Sequence, residues 1–377
     1  RSPCASTYYR PPAAASAHGP GRGGPTQPKW TMHPSLARLQ AATIGTPYEG
    51  RLWIVGGAVR DEALGLPPSS DFDLVSDLDV GPLATSLFEQ GVSEHAPVLY
   101  ARFGTALVRI DGAHVELVTA RKESYDESSR KPNVEPATLL EDAMRRDFTV
   151  NTLRRNLHTL ERVDPTGRGL ADLASKTLRT PTDPLVTFHD DPLRMLRAVR
   201  FRLKLGFTYA DDLVAAMRVS APRLKVVSAE RIREELNKTL EGPSPDEGWR
   251  DLMDFGLLDQ FAPEFRAMQG VEQGRFHHLD VWEHTLLVLS HVAGRGALMG
   301  WAALLHDVGK PETRTVDAEG ATRFFGHEVV GASMARKLLN RLRFSGDDTD
   351  QIVSLVKNHM RLGSWTKLTD AAARRLI

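Results

Sequence analysis

Leu52-Trp53-Ile54-Val55-Gly56-Gly57-Ala58-Val59-Arg60-Asp61, followed a short way on by Asp71-Phe72-Asp73-Leu74-Val75, decides the fold of this chain. The first four residues are an apolar run that reads as a buried strand, stopped by the glycine pair. Ala58 to Leu64 reads as a helix, and Asp71 to Val75 alternates polar and apolar residues with the period of a strand. Residues i and i+2 of a strand share a face, so Asp71 and Asp73 present two carboxylates together while Phe72 is buried opposite. Like charges that close repel unless a cation sits between them. Oxygen-only ligands suit Mg²⁺, which takes one or two carboxylates together with substrate phosphates. The glycine pair leaves backbone N–H groups open to a triphosphate, just ahead of a helix N-terminus, and Arg60 can add a charge-assisted contact. Asp-x-Asp alone is a weak signal and so is Gly-Gly alone; strand, Gly-Gly, helix and Asp-x-Asp in this order are specific.

Working outward, residues 33–43 and 80–91 read as helices, and Ala106–Ile110 and His114–Thr119 as strands joined at Asp111-Gly112, a strong hairpin signal. Glu116 lies between Val115 and Leu117 and so faces away from them; it either completes a metal cluster or stands on the solvent side. After about residue 185 the strand signals fade. Leu193, Leu196, Val199 and Leu203 mark one face of a helix, and further helical periods follow over 213–219, 229–240 and 249–258. Asp191, Arg194, Arg197 and Arg200 recur at spacings of three on adjoining positions of that first helix. An Asp accepts hydrogen bonds and an Arg donates them, so the pair Asp191 and Arg194 can complement a base edge presenting both kinds of group. The alternative is that Asp191 simply caps the helix, with Pro192 at its first position.

The bulk numbers bound this picture. At 377 residues the chain is long enough for two to four domains. Hydrophobic residues are 41% and charged residues 25%, ordinary for a globular protein, and no apolar run is long enough to span a bilayer. Cys4 is the only cysteine, which rules out an intramolecular disulfide and agrees with an expected cytoplasmic location. The formal net charge is zero, yet residues 191–240 hold eleven Lys/Arg against six Asp/Glu, either a nucleic-acid footprint or a set of solvated helix faces. Residues 1–31 are rich in Pro, Gly, Ala and Ser without the apolar core of a signal peptide, and are expected to be a disordered tail.

Taken together, Gly56 to Asp61, Asp71-Phe72-Asp73, Arg145-Arg146-Asp147-Phe148-Thr149-Val150-Asn151 and Asp191 to Phe201 resemble the class II tRNA nucleotidyltransferase and bacterial poly(A) polymerase family of the polymerase-β superfamily. Asp164-Pro165-Thr166-Gly167 and Glu230-Arg231-Ile232-Arg233-Glu234-Glu235-Leu236 resemble its further motifs, in order, over roughly residues 50–260. The resemblance implies that Asp71 and Asp73 hold two Mg²⁺ ions; Glu116, from the reading of the hairpin above, is the candidate third catalytic carboxylate. It implies that Gly57 and Arg60 contact the incoming triphosphate, beside Gly56 of the same glycine pair, and that Arg146, Asp147 and Asn151 bind ribose and phosphates. Asp191 and Arg194 would read the incoming base, with Arg197 and Arg200 contacting the nucleotide nearby. The implied partners are CTP and/or ATP and the 3′ end of tRNA, with no membrane. In the family a flexible loop between the hairpin and the Arg-Arg-Asp motif is tied to incorporation of A; the full-length Thr119 to Arg146 stretch argues against a CC-only enzyme. One departure is Val150-Asn151-Thr152, where the family has Ile/Met-Asn-Ala.

Farther along, His306-Asp307-Val308-Gly309-Lys310, with His284, His327 and His359, resembles the HD metal-dependent phosphohydrolase superfamily. Imidazoles and a carboxylate suit a transition metal. The superfamily's usual last Asp ligand is not evident. The expected organisation is a disordered tail over 1–31, then an α+β polymerase-β-like nucleotidyltransferase domain with a mixed sheet over 32–180. An all-α neck and body for base selection and RNA binding follows over 181–270, and an all-α HD-like domain over 271–377, cut short at Ile377. The expected function is template-independent addition of CCA, or its terminal A, to tRNA. The alternatives are a poly(A) polymerase, or an HD phosphohydrolase whose N-terminal unit only binds RNA.

Overall fold

The computed structural model describes residues 31–67, 70–124, 133–273 and 278–362; all but the last residue of the expected tail falls outside them. Its N-terminal part is built on β1 (Leu52–Val55), β2 (Asp71–Ser76), β3 (Val98–Tyr100), β4 (Thr105–Ile110), β5 (Ala113–Thr119), β6 (Arg121–Ser124), β7 (Asn133–Pro136), β8 (Arg154–Asn156) and β9 (Arg162–Val163). Seven of these form one mixed sheet in the order β3-β4-β5-β2-β1-β8-β9, and β6 and β7 pair as a separate ribbon. Within the sheet β2 and β5 run parallel while the remaining neighbours are antiparallel. A parallel pair needs a crossover, supplied here by the helix Val80–Glu89 with the β3–β4 excursion.

The alternation along β2 and β5 sorts the two faces. Phe72, Leu74, Val115 and Leu117 are buried on one face, along with Ala106 and Val108 of β4, and Leu36, Leu39, Leu83 and Leu87 of two helices are buried as well. On the opposite face Val55, Val75 and Ala120 pack with Trp53 and Leu139. Asp71 and Asp73, at the other end of β2, are exposed.

Beyond the sheet the chain is helical, led by Leu193–Leu205, Asp211–Ser220, Ala229–Leu240 and Pro245–Asp254, then Val281–His291, Ala297–Leu305, His327–Arg341 and Gly346–Leu362. Leu193, Leu196, Val199 and Leu203 are all buried, as their spacing predicts. One detail differs from the sequence reading. Strand pairing does not stop near residue 185: Thr177-Leu178 pairs with Thr208-Tyr209, and Thr315-Val316 with Thr322-Arg323. Two-residue bridges carry no period and leave no signal. Aromatic packing runs across the expected boundary near residue 270. Trp249 stacks edge-on against Phe265 and Trp301 at centroid distances of 5.3 and 5.2 Å, and Trp301 meets Phe344 at 5.4 Å. The Trp301 Nε1–H donates to Asn237 Oδ1 at 2.7 Å. The helices on either side of residue 270 thus share one aromatic core.

Candidate active site

Sheet register assembles the carboxylates. Asp73 on β2 stands beside Glu116 on β5 and beside Val55 on β1, so Asp71, Asp73 and Glu116 occupy one face. Neighbouring strands lie about 4.8 Å apart, so Glu116 adjoins Asp73 and is half-buried there. Desolvation by the surrounding protein, reinforced by the charge of Asp71, pushes the Asp73 carboxyl above the usual carboxylate range against the pull of Arg146. Desolvation and then the Asp73 charge raise Glu116 in the same way, against Arg121 and Arg146. Carboxylates that crowd one another in this fashion are a donor set for a divalent cation, and an all-oxygen set fits Mg²⁺.

Gly56 brings the Gly-Gly turn up against them. Its φ is +70°, and a Cβ there would lie 3.3 Å from Asp73 Oδ2 and 3.9 Å from Arg146 Nη1. Only glycine fits both the backbone and the gap. Arg146 is held at this spot by Asp142, whose carboxylate accepts from Arg146 Nη2 at 3.1 Å and from Arg145 Nη2 at 2.6 Å. Asp142 is a residue that the sequence reading missed; its spacings of three and four from the two arginines were the available signal.

The remaining nucleotide-binding candidates form a buried chain of charges. Arg60 is only 2% exposed. Its Nη1 donates to Asn151 Oδ1 at 2.6 Å, and it is also paired with Asp61. The Arg60 guanidinium, expected to contact the triphosphate, lies beside Gly57, where a Cβ would be 3.5 Å from its Nη2, and ties the turn to Asn151. Asn151 Nδ2 donates to Asp147 Oδ1 at 2.9 Å, and Arg197 donates to Asp147 Oδ2 at 2.6 Å. Burial alone would raise the Asp147 carboxyl, but Arg197 and Asn151 bring it down to about 2. Arg200 Nε donates to Glu235 Oε2 at 2.6 Å, and Arg197 reaches the other oxygen of the same carboxylate at 3.5 Å. Phe201 sits among Arg60, Arg197 and Arg200, whose guanidinium carbons lie 5.3, 5.4 and 4.4 Å from its ring centroid.

The expected base-reading pair is placed at the start of the same helix but is engaged elsewhere. Asp191 Oδ1 accepts from the Leu193 N–H at 3.1 Å, so the capping reading holds. Its Oδ2 accepts from Arg231 Nη2 at 2.9 Å. Arg194 is buried, donating to the Arg145 carbonyl at 2.5 Å and the Thr187 carbonyl at 3.3 Å. Periodicity placed these residues on one stretch of helix without indicating their depth.

A second cluster lies in the C-terminal helices. The Nε2 atoms of His284, His306, His327 and His359 lie 3.6, 3.0, 3.4 and 3.7 Å from the carboxylate oxygens of Asp307. The Nδ1 atoms of His306, His327 and His359 bond the carbonyls of Ala303, Phe324 and Val356. A ring whose Nδ1–H is spent on a carbonyl turns an Nε2 lone pair inward, the orientation a metal ligand needs. Two sets, His284-His306-Asp307 and Asp307-His327-His359, have ligand atoms all within 4.8 Å of one another. Lys310, absent from the expected ligands, donates to Asp307 Oδ2 at 2.7 Å and to Gln273 Oε1 at 2.5 Å.

Known proteins match this layout along its length. Residues 52–179 match the poly A polymerase head domain, 206–268 a probable RNA and SrmB-binding site of polymerase A, and 276–376 the HD domain. An A-adding tRNA nucleotidyltransferase of Deinococcus radiodurans is 37% identical over 88% of this chain and 73% of its own length. A CC-adding tRNA nucleotidyltransferase of Thermus thermophilus is 34% identical over 81% of this chain and 68% of its own. Among solved structures, a Thermotoga maritima CCA-adding enzyme complexed with tRNA shares the fold, with a TM-score of 0.53, 20% identity and coverage of 85% of this chain and 77% of that one. No helix among the described residues is long and apolar enough to cross a membrane. The chain is an enzyme and belongs to the tRNA nucleotidyltransferase family, whose head domain is that of the poly(A) polymerases.

Proposed function

We propose that this protein adds CCA, or its terminal A, to the 3′ end of tRNA from CTP and ATP without a nucleic-acid template. The observation that carries the reading is the row of Asp71, Asp73 and Glu116 on one sheet face, beside Gly56 and Arg146. Asp71 and Asp73 would hold Mg²⁺, which when bound lowers the pKa of the RNA 3′ hydroxyl and neutralises the departing pyrophosphate. The chain's own residues supply position and charge. Gly56 and Gly57 leave room for the triphosphate. Arg146, steadied by Asp142, puts a cation on its negative charge. Asp147 and Asn151 brace the floor beneath the ribose, and Arg197 and Arg200 hold that floor to the helices. Asp191 and Arg194 would read the base once the incoming nucleotide draws them from their present partners. Incubating the protein with Mg²⁺, labelled CTP or ATP, and tRNA lacking all of CCA, its last two residues or its last one tests the reading. Extension of every acceptor fits CCA addition, and extension only of the acceptor that lacks A fits A addition. Homopolymeric tails fit a poly(A) polymerase, and no extension refutes the proposal.

The convergence of four imidazoles on Asp307 favours a second reading, that the C-terminal helices hold a transition metal and hydrolyse phosphate esters. Metal analysis of the purified protein and of Asp307→Ala checks it. One bound ion in the parent and none in the variant is expected, and no metal in either would contradict it.

A further inference from the structure

The face that carries the catalytic carboxylates does not end at β5. Asp73 stands beside Glu116, Glu116 beside Leu107 on β4, and Leu107 beside Val98 on the edge strand β3. At about 4.8 Å per strand, this row reaches roughly 15 Å from Asp73. Tyr100, two residues along β3 from Val98, shares its face. The outer part of the row is apolar and open: Val98 is 51% exposed, Tyr100 47% and Leu107 38%. Proteins usually blunt an edge strand with charge or proline; this one presents a valine, a leucine and a tyrosine. Cations lie at its rim. The Arg102 guanidinium is 5.9 Å from the ring centroid of Phe103, and Arg121 donates to the Phe103 carbonyl and to Thr105 Oγ1.

Reaction geometry says what would lie there. The Gly-Gly turn follows β1, so the triphosphate belongs on the β1 side of Asp73. In-line displacement puts the attacking oxygen and the departing pyrophosphate on opposite sides of the phosphorus. The attacking hydroxyl must then arrive from the β5, β4 and β3 side, across this apolar row. We infer that Val98, Tyr100 and Leu107 form a stacking ledge for the bases of the acceptor's single-stranded 3′ end, with Arg102 meeting its phosphates. The inference rests on the nucleotidyltransferase reading above. Stacking accepts any base, which suits an end whose last base changes with each addition.

The test uses the full chain and the double variant Tyr100→Ser/Leu107→Ser, at exposed positions. With a tRNA transcript lacking its terminal A, KM for the transcript should rise about tenfold while KM for ATP stays at the parent value. Tyr100→Phe, which keeps the ring, should keep the parent KM. A transcript abasic at its last two positions should raise the parent's KM by a similar factor and the double variant's no further. An unchanged transcript KM in the double variant overturns the ledge, and so does an equal rise in both KM values. Conversion of a parent dimer to a monomer on sedimentation, with transcript KM unmoved, would assign the edge to self-association instead. Failure of the parent to extend any acceptor would refute the nucleotidyltransferase reading itself. Anisotropy of a labelled single-stranded RNA still tests the ledge in that case, with weaker binding by the double variant expected and equal binding overturning it.

Discussion

Asp147 shows at the scale of one residue how the site is held. Its two oxygens join Asn151 to Arg197, and through them the Gly-Gly turn to the Leu193–Leu205 helix. Its carboxyl is depressed from 3.8 to about 2. A depressed carboxyl adds stability that is full above the unfolded value and is lost as pH falls through the folded one, here between about pH 4 and pH 2. The contribution is on the order of 2 kcal/mol. Asp147→Asn should lower stability by about 2 kcal/mol at neutral pH, because it puts a neutral amide where Arg197 has its closest carboxylate, and should flatten the acid limb of a denaturation series over that window. An unchanged acid limb would show that the pair is not the source. Residues of this kind were only half legible. Asp71 and Asp73 could be read because a two-residue period fixes which way they face. The burial of Arg60 and Arg194 and their partners inside the protein could not be read, because spacing along a helix says nothing about depth.

At the scale of elements, the second metal-like cluster depends on one tight crossing. A Cβ on Gly309 would lie 2.3 Å from the His327 carbonyl oxygen and 2.6 Å from the Gly331 nitrogen. Gly309 thus lets the turn after Asp307 press against the start of the His327–Arg341 helix. Gly309→Ala must push that helix away, at an overpacking cost of roughly 1–3 kcal/mol. The expected result is a lower melting temperature together with loss of bound metal, since His327 heads the displaced helix; a variant that melts and binds metal like the parent would contradict it. The long elements were legible from their periods: β2, β5 and the buried stripe of Leu193, Leu196, Val199 and Leu203. The edge strand β3 and the short β8 and β9 were not. Val98–Tyr100 is three exposed residues with no alternation to read, and Arg154–Asn156 is polar in sequence yet paired to β1 by register.

Over the whole molecule, two kinds of packing make one body of three matched regions. Charges link the sheet to the helices through Asp147, Arg197, Glu235 and Arg200. Aromatic rings link those helices to the C-terminal set through Trp249, Phe265, Trp301 and Phe344. The motifs announced the chemistry of each region, but the shared core could not be read from them, because Trp249 and Trp301 are distant in sequence and belong to no motif. The account turns on whether Asp71 and Asp73 together serve a divalent cation and a nucleoside triphosphate. Transfer of labelled ATP or CTP to truncated tRNA in Mg²⁺, by the parent and by Asp71→Ala and Asp73→Asn, measures this directly. The account predicts extension by the parent and a loss of at least about a thousandfold in each variant, with melting temperatures unchanged. Extension by either variant at the parent's rate would contradict it.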